Sequence, residues 1–178
     1  STTYEIDEKY NTKYHENFVN FLKFVQDNDL TVDGAMTDPK GNRGLAPYAQ
    51  KDPDMFLRVV ERREDGIVVR GAKMHQTGAL NSHQILVMPT QTMREEDRDY
   101  AVAFSVPADD PSVLYIYGRQ ASDTRKLEAS KVDVGNANYG GQEVIIIFED
   151  TFVPYKNVYM LGEIDFTGML VERFAKHV

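Results

Sequence analysis

The stretch MFLRVVERREDGIVVRGAK, residues 55–73, decides how the rest of the chain is read. Two runs rich in Val, Ile and Phe meet at Asp65–Gly66, a dipeptide that accommodates a tight turn, so the stretch reads as a β-hairpin. Downstream, HQILVMP (83–89), DYAVAFSVP (99–107), SVLYIYG (112–118) and EVIIIFEDTFVPYKNVYML (143–161) continue as short apolar runs punctuated by Pro and Gly. Six or seven short strands at this spacing predict a mainly β domain, an antiparallel barrel or sandwich.

Helical patterns flank the strands. In TKYHENFVNFLKFVQDND (12–29), Tyr14, Phe18, Phe21, Leu22 and Val25 fall on one face of an amphipathic helix, which must pack as a lid or buttress. The segment VDGAMTDPKGNRGLAPYAQKDPD (32–54) has no sustained period and reads as a long loop, the kind that in a compact domain is commonly functional. DFTGMLVERFAKHV (165–178) turns helical and stops at Val178 without a capping signal, as a helix cut off. No internal repeat or low-complexity tract is present.

Composition narrows the function classes. The net charge is −8 and no run of Lys or Arg occurs, so a nucleic-acid partner is not expected. The apolar runs are too short to cross a bilayer, and the polar start STTYEIDEKYNTKYHEN carries no signal peptide. A cytoplasmic location is the expectation. The chain opens without Met, which is compatible with processing or truncation. It contains no cysteine, hence no disulfide framework and no thiolate metal site.

Residues 70–83, RGAKMHQTGALNSH, crowd hydrogen-bonding side chains between two strands. His75 and His83 lack a carboxylate or thiolate partner at ligand spacing, so no metal is assigned to them. A polar turn and a cofactor site remain open. The loop GAMTDPKGNRG (34–44) offers closely approachable backbone N–H groups with Lys40 and Arg43 for phosphates, yet it is neither a Walker loop nor a dinucleotide fingerprint. A solvated turn explains it as well. The cluster REEDRD (94–99) reads as a solvated face. Glu143 directly precedes VIIIF, where partial burial would raise its pKa and suit proton transfer; an exposed strand-end Glu is the alternative.

Several of these blocks together carry a resemblance. GAMTDPKGNR (34–43), DPDMFLRVVERREDGIVVRGAKMHQTGALNSH (52–83), DYAVAFSVPAD (99–109), GRQ (118–120) and MLVERFA (169–175) resemble the 4-hydroxybutyryl-CoA dehydratase/vinylacetyl-CoA isomerase family. That family is a branch of the flavin-dependent 4-hydroxyphenylacetate 3-hydroxylase superfamily, which is built like the acyl-CoA dehydrogenases. The resemblance implies an antiparallel β-barrel like the middle domain of acyl-CoA dehydrogenase-like flavoenzymes, mainly β with flanking helices. Residues 1–31 would end an N-terminal helical region, 32–162 would form the flavin-binding barrel, and 163–178 would start a C-terminal helical domain.

The family reaction removes water from 4-hydroxybutyryl-CoA to give crotonyl-CoA and isomerises vinylacetyl-CoA. The implied cofactor is FAD, held by Met36, Thr37, Asp38, Lys40, Gly41, Asn42 and Arg43 of the loop and by His75, Gln76 and Thr77 at the strand end. Glu143 would be catalytic, and Pro89 and Thr90 would approach the substrate. The family also holds a 4Fe–4S cluster on three cysteines and a histidine, and works as a homotetramer. This chain has no cysteine, and His177 near its end is not assigned as a ligand. The implied partners are an acyl-CoA, the remainder of the enzyme and further copies, and the isolated 178 residues are expected to be a folded, inactive fragment. A flavin-dependent aromatic monooxygenase component and a non-catalytic barrel are the alternatives.

Overall fold

A computed structural model describes residues 1–118 and 143–175. The strands are β1 (Val32–Ala35), β2 (Arg58–Arg62), β3 (Gly66–Gln76), β4 (Gln84–Val87), β5 (Val102–Pro107), β6 (Val113–Tyr117), β7 (Val144–Pro154) and β8 (Val158–Leu161). The helices are α1 (Thr2–Tyr10), α2 (Tyr14–Asp27) and α3 (Thr167–Ala175). The strands form two four-stranded sheets, ordered β1-β4-β5-β8 and β2-β3-β7-β6. The hairpin read from residues 55–73 is present: Arg62 pairs with Ile67, and the Arg63 N–H donates to the Gly66 carbonyl at 2.8 Å.

Of the antiparallel barrel and sandwich that the strand pattern left open, the described residues form two facing sheets, and the barrel implied by the resemblance is not closed among them. Among the described residues β1 and β8 are the edges of one sheet and β2 and β6 those of the other. The pair β1–β4 is parallel, with Val32 opposite Gln84. Alternation along a strand settles which face is buried, whereas closure depends on whether distant edges meet, and local pattern does not encode that. The segment 32–54, read as a loop throughout, accordingly begins with a strand and contains a short 3₁₀ turn at Pro47–Ala49.

The inward faces share one core. Ile85, Val87, Val102, Phe104 and Val106 of the first sheet meet Val59, Ile67, Val69, Ile146 and Phe148 of the second, all buried. The first sheet is covered on its other face as well. There β5 presents the small residues Ala103 and Ser105, which lets helices approach closely, and the Tyr159 ring of β8 meets Phe18 edge to face and Phe21 at a tilt, both of α2, at centroid distances of 5.3 and 5.7 Å. The helix read over 12–29 thus serves as the buttress, although Leu22 of its stripe points to solvent. The polar start hides a further helix, α1. Its Asp7 carboxylate accepts from the backbone N–H groups of Tyr14 and His15, each at 2.9 Å, and so caps α2 where Lys13 cannot. No helix among the described residues is long and apolar enough to cross a membrane.

Candidate functional site

A cleft of about 400 Å³ opens where three segments converge. The chain leaving β1 supplies Met36 and Thr37, the end of β3 and its following turn supply His75, Gln76, Thr77 and Gly78, and the chain leaving β4 supplies Thr90. Asp33 and Gly34 of β1 and Val171 of α3 complete the wall.

A bulge aims the β3 residues. Lys73 pairs with Ile146 and Gln76 with Val144, so Met74 and His75 together oppose Ile145. His75 takes up the extra length at φ 58°, a left-handed conformation that costs a non-glycine residue about 1–2 kcal/mol. The kink turns Gln76 inward. Its Nε2 donates to the Met74 carbonyl at 2.7 Å and, more weakly, to the Thr37 carbonyl at 3.4 Å. The Met74 N–H also donates to that Thr37 carbonyl, at 2.8 Å, tying the loop to the strand. The hydroxyls of Thr37 and Thr77 have no partner among the described residues and are available to a ligand.

Glu143 takes the exposed of the two positions left open by the sequence. Its side chain is 53% exposed and its Oε2 lies 3.3 Å from His75 Nδ1. Although Val144 is buried, a residue one position before a strand still sees solvent, so position alone did not bury this carboxyl.

Asp38 is turned toward β3 and not into the cleft. Its carboxylate, half of an almost fully buried ion pair, accepts from Lys73 Nζ at 2.7 Å, and its other oxygen accepts from the Thr90 hydroxyl. Lys73 also donates to the Met36 carbonyl at 3.0 Å and the Met88 carbonyl at 2.9 Å. Three acceptors meet the three donors of one ammonium group. Burial pulls the Lys73 pKa below the ordinary lysine range, and the Asp38 carboxylate opposes that pull.

The rest of the loop is held from behind. The Asn42 N–H donates to Gln50 Oε1 at 2.9 Å, and the Gln50 amide donates to the Asn42 and Leu45 carbonyls at 3.0 and 3.1 Å. Gly41 sits at φ 51°, where a Cβ would fall 2.6 Å from Met55 Sδ and 2.7 Å from Gln50 Oε1. Lys40 and Arg43 are exposed, with no ion-pair partner among the described residues. Of the sequence-derived candidates, Met36, Thr37, His75, Gln76, Thr77 and Thr90 line the cleft. Glu143 joins them through His75, whereas Asp38, Lys40, Gly41, Asn42, Arg43 and the buried Pro89 do not line it. Arg119, Gln120 and His177 lie outside the described residues.

Asp33, missed in the sequence, is the most informative wall residue. Its Oδ2 is buried and has no hydrogen-bond partner. Burial raises its pKa, opposed by the Gly78 N–H. A raised carboxyl binds its proton more tightly in the fold than in the unfolded chain. The stability it contributes is therefore complete below the ordinary carboxylate value of about 4 and is lost as pH rises through the folded value. Asp33→Asn should consequently raise the melting temperature near neutral pH, with the gain shrinking as the pH falls toward about 4. Melts across that range check this; a gain independent of pH would contradict it.

An orphaned acceptor and unpartnered hydroxyls in the cleft, with exposed Lys40 and Arg43 further along the loop that supplies Thr37, fit a ligand that carries both hydroxyl and phosphate groups, as FAD does. An iron–sulfur cluster does not fit. The sequence has no cysteine, and no group of three or more His, Cys, Asp or Glu among the described residues is arranged for a metal.

Residues 1–160 match the family model described as 4-hydroxyphenylacetate 3-hydroxylase N terminal. The chain is 61% identical over 176 residues to a 4-hydroxybutyryl-CoA dehydratase/vinylacetyl-CoA-Delta-isomerase of Clostridium aminobutyricum, covering 98% of this chain and 36% of that protein. A solved oxygen-tolerant archaeal 4-hydroxybutyryl-CoA dehydratase from N. maritimus matches with TM-score 0.87 at 53% identity, over 98% of this chain and 35% of that one. The oxygenase component of 4-hydroxyphenylacetate 3-monooxygenase complexed with FAD matches with TM-score 0.75 at 28% identity, over 97% of this chain and 35% of that one. The chain spans about a third of the length of these relatives.

Proposed function

The chain belongs to the 4-hydroxyphenylacetate 3-hydroxylase N-terminal family, and from that premise we propose that it is the flavin-binding section of a 4-hydroxybutyryl-CoA dehydratase/vinylacetyl-CoA isomerase. The observation that carries this reading is the convergence of Thr37, Gln76 and Thr77 on one cleft in a chain 61% identical to such an enzyme. The 28% identity to the monooxygenase component makes that the second reading.

FAD, when bound, supplies a one-electron acceptor and donor beside the acyl thioester. The residues of this chain seat it. Lys40 and Arg43 meet the pyrophosphate, where fixed positive charge is favourable, and the loop through Gly41 and Asn42 carries them. Met36 and Thr37 flank the flavin, and His75, Gln76 and Thr77 hydrogen-bond its edge. Thr90 borders the acyl group, with the buried Pro89 backing it. Glu143 takes a proton from the carbon next to the thioester carbonyl, and His75, 3.3 Å away, orients its carboxylate.

On this reading residues 1–31 end a helical region, 32–162 form a middle domain of the acyl-CoA dehydrogenase type, and 163–178 begin a second helical region. The working enzyme is a cytoplasmic homotetramer acting on an acyl-CoA. Cysteines for a 4Fe–4S cluster would have to come from outside these 178 residues.

The test is cofactor content and turnover of the intact polypeptide purified without oxygen. About one FAD and about four iron atoms per chain are expected, with conversion of 4-hydroxybutyryl-CoA to crotonyl-CoA. Flavin without iron, together with hydroxylation of a phenol by reduced flavin and oxygen, would transfer the assignment to the monooxygenase branch. Neither flavin nor turnover would leave a non-catalytic domain.

A further inference from the structure

Lys73 is buried and does not line the cleft, yet it belongs to one of the three segments that shape the opening and bonds to the other two. Its own strand, β3, leads three residues later into Gln76 and Thr77. Its ammonium group holds the Met36 carbonyl and the Asp38 carboxylate on one side and the Met88 carbonyl on the other. Asp38 passes the restraint on to Thr90. Thr37 is thus pinned between two residues that Lys73 holds, and Thr90 is pinned through one of them. A buried ion pair contributes little net stability compared with apolar side chains of similar size, because removing both charges from water offsets their attraction. Its retention beside the cleft is better explained by geometry, since a charged network accepts one arrangement where apolar packing tolerates several.

We infer that Lys73 is the positioning residue of the flavin site, fixing the Met36–Asp38 and Met88–Thr90 segments against the end of β3 so that Thr37 and Thr77 face the flavin while Thr90 is held beside them at the acyl group. This rests on the FAD reading above. Lys73 touches neither ligand nor reacting atoms and acts through the segments it holds.

The test uses the intact flavoprotein with two linked variants. Lys73→Met/Asp38→Asn removes both charges and leaves none buried alone; Lys73→Arg keeps the charge but changes the reach. FAD affinity is titrated by flavin fluorescence, the visible spectrum and midpoint potential of the bound flavin are recorded, and the melting temperature of the flavin-free form is followed separately. The double variant should melt close to wild type yet bind FAD about tenfold or more weakly, with an altered flavin spectrum, as outer supports of a site do when lost. Lys73→Arg should also weaken FAD binding, and it decides the matter if the double variant does not fold. A folded variant with wild-type affinity and spectrum overturns the positioning role while leaving FAD in place. If the wild type takes up no FAD, the flavin reading falls and this role falls with it.

Discussion

Gly71→Ala is expected to melt roughly 6–16 °C below wild type, the consequence of losing about 3–4 kcal/mol at a few degrees per kcal/mol in a chain of this size. Gly71 lies in the middle of β3 at φ 128°, a conformation that a side chain disfavours. A Cβ there would sit 2.5 Å from the Phe56 carbonyl oxygen, 2.6 Å from Leu57 Cα and 2.8 Å from Leu57 N. All three are backbone atoms, so no side-chain rotation relieves the clash. The residue also stands at the register shift between Val69 and Gly71 against β7, and next to the isolated bridge from Phe56 to Ala72. Relief would require separating the 56–57 segment from β3, and with it the strand that ends in the cleft. Gly34→Ala is the control. Nothing lies within 4 Å of its Cβ position, so its melt should stay within about 0.5 kcal/mol of wild type. Equal melts for the two variants would show that the close approach at Gly71 is not real.

Phe148→Ala should be of similar size, a loss of about 3–5 kcal/mol from the transfer of a buried aromatic ring and the cavity it leaves. Phe148 is on β7 of one sheet and Phe104 on β5 of the other, both fully buried. Their rings meet edge to face at 5.8 Å and 82°. This contact joins the two sheets directly. Urea unfolding of Phe148→Ala, Phe104→Ala and the double variant should therefore give a coupling energy of about 0.5–1.5 kcal/mol, the range for aromatic pairs. Strict additivity would mean that the two rings do not touch and that the sheets do not face each other as described.

These two sites show why some of the fold was legible and some was not. The run VIIIF at 144–148 places Phe148 on the same face as Val144 and Ile146, and all three prove buried. That is a statement about neighbours along one strand. Its facing partner comes from a strand more than forty residues earlier, and nothing local names it. Gly71 could be read only as a glycine within a strand pattern. The need for it is set by the Phe56–Leu57 backbone crossing against it.

The candidate site divides along the same line. Thr37, His75, Gln76 and Thr77 were readable as hydrogen-bonding residues crowded at a loop and a strand end. Lys73 carried a legible signal that went unused. It is a lone charge in register with the inward Ile146, disguised because the bulges on either side of it break the alternation. Asp33 carried none, since a carboxylate in a loop-like stretch is ordinary until burial leaves one oxygen without a partner.

The sequence by itself determined the hairpin at Asp65–Gly66, the order of the later strands, the buttressing helix and, through its long matching blocks, the family. Each of these is written in residues close together along the chain, where propensity and periodicity act. Only the tertiary structure decided that the strands form two facing sheets, that Glu143 stays in solvent against His75, and that Asp38 turns toward Lys73. The last pairing joins residues 35 positions apart. Whether such groups meet depends on how whole segments pack, and a buried charge takes whichever partner that packing brings within reach.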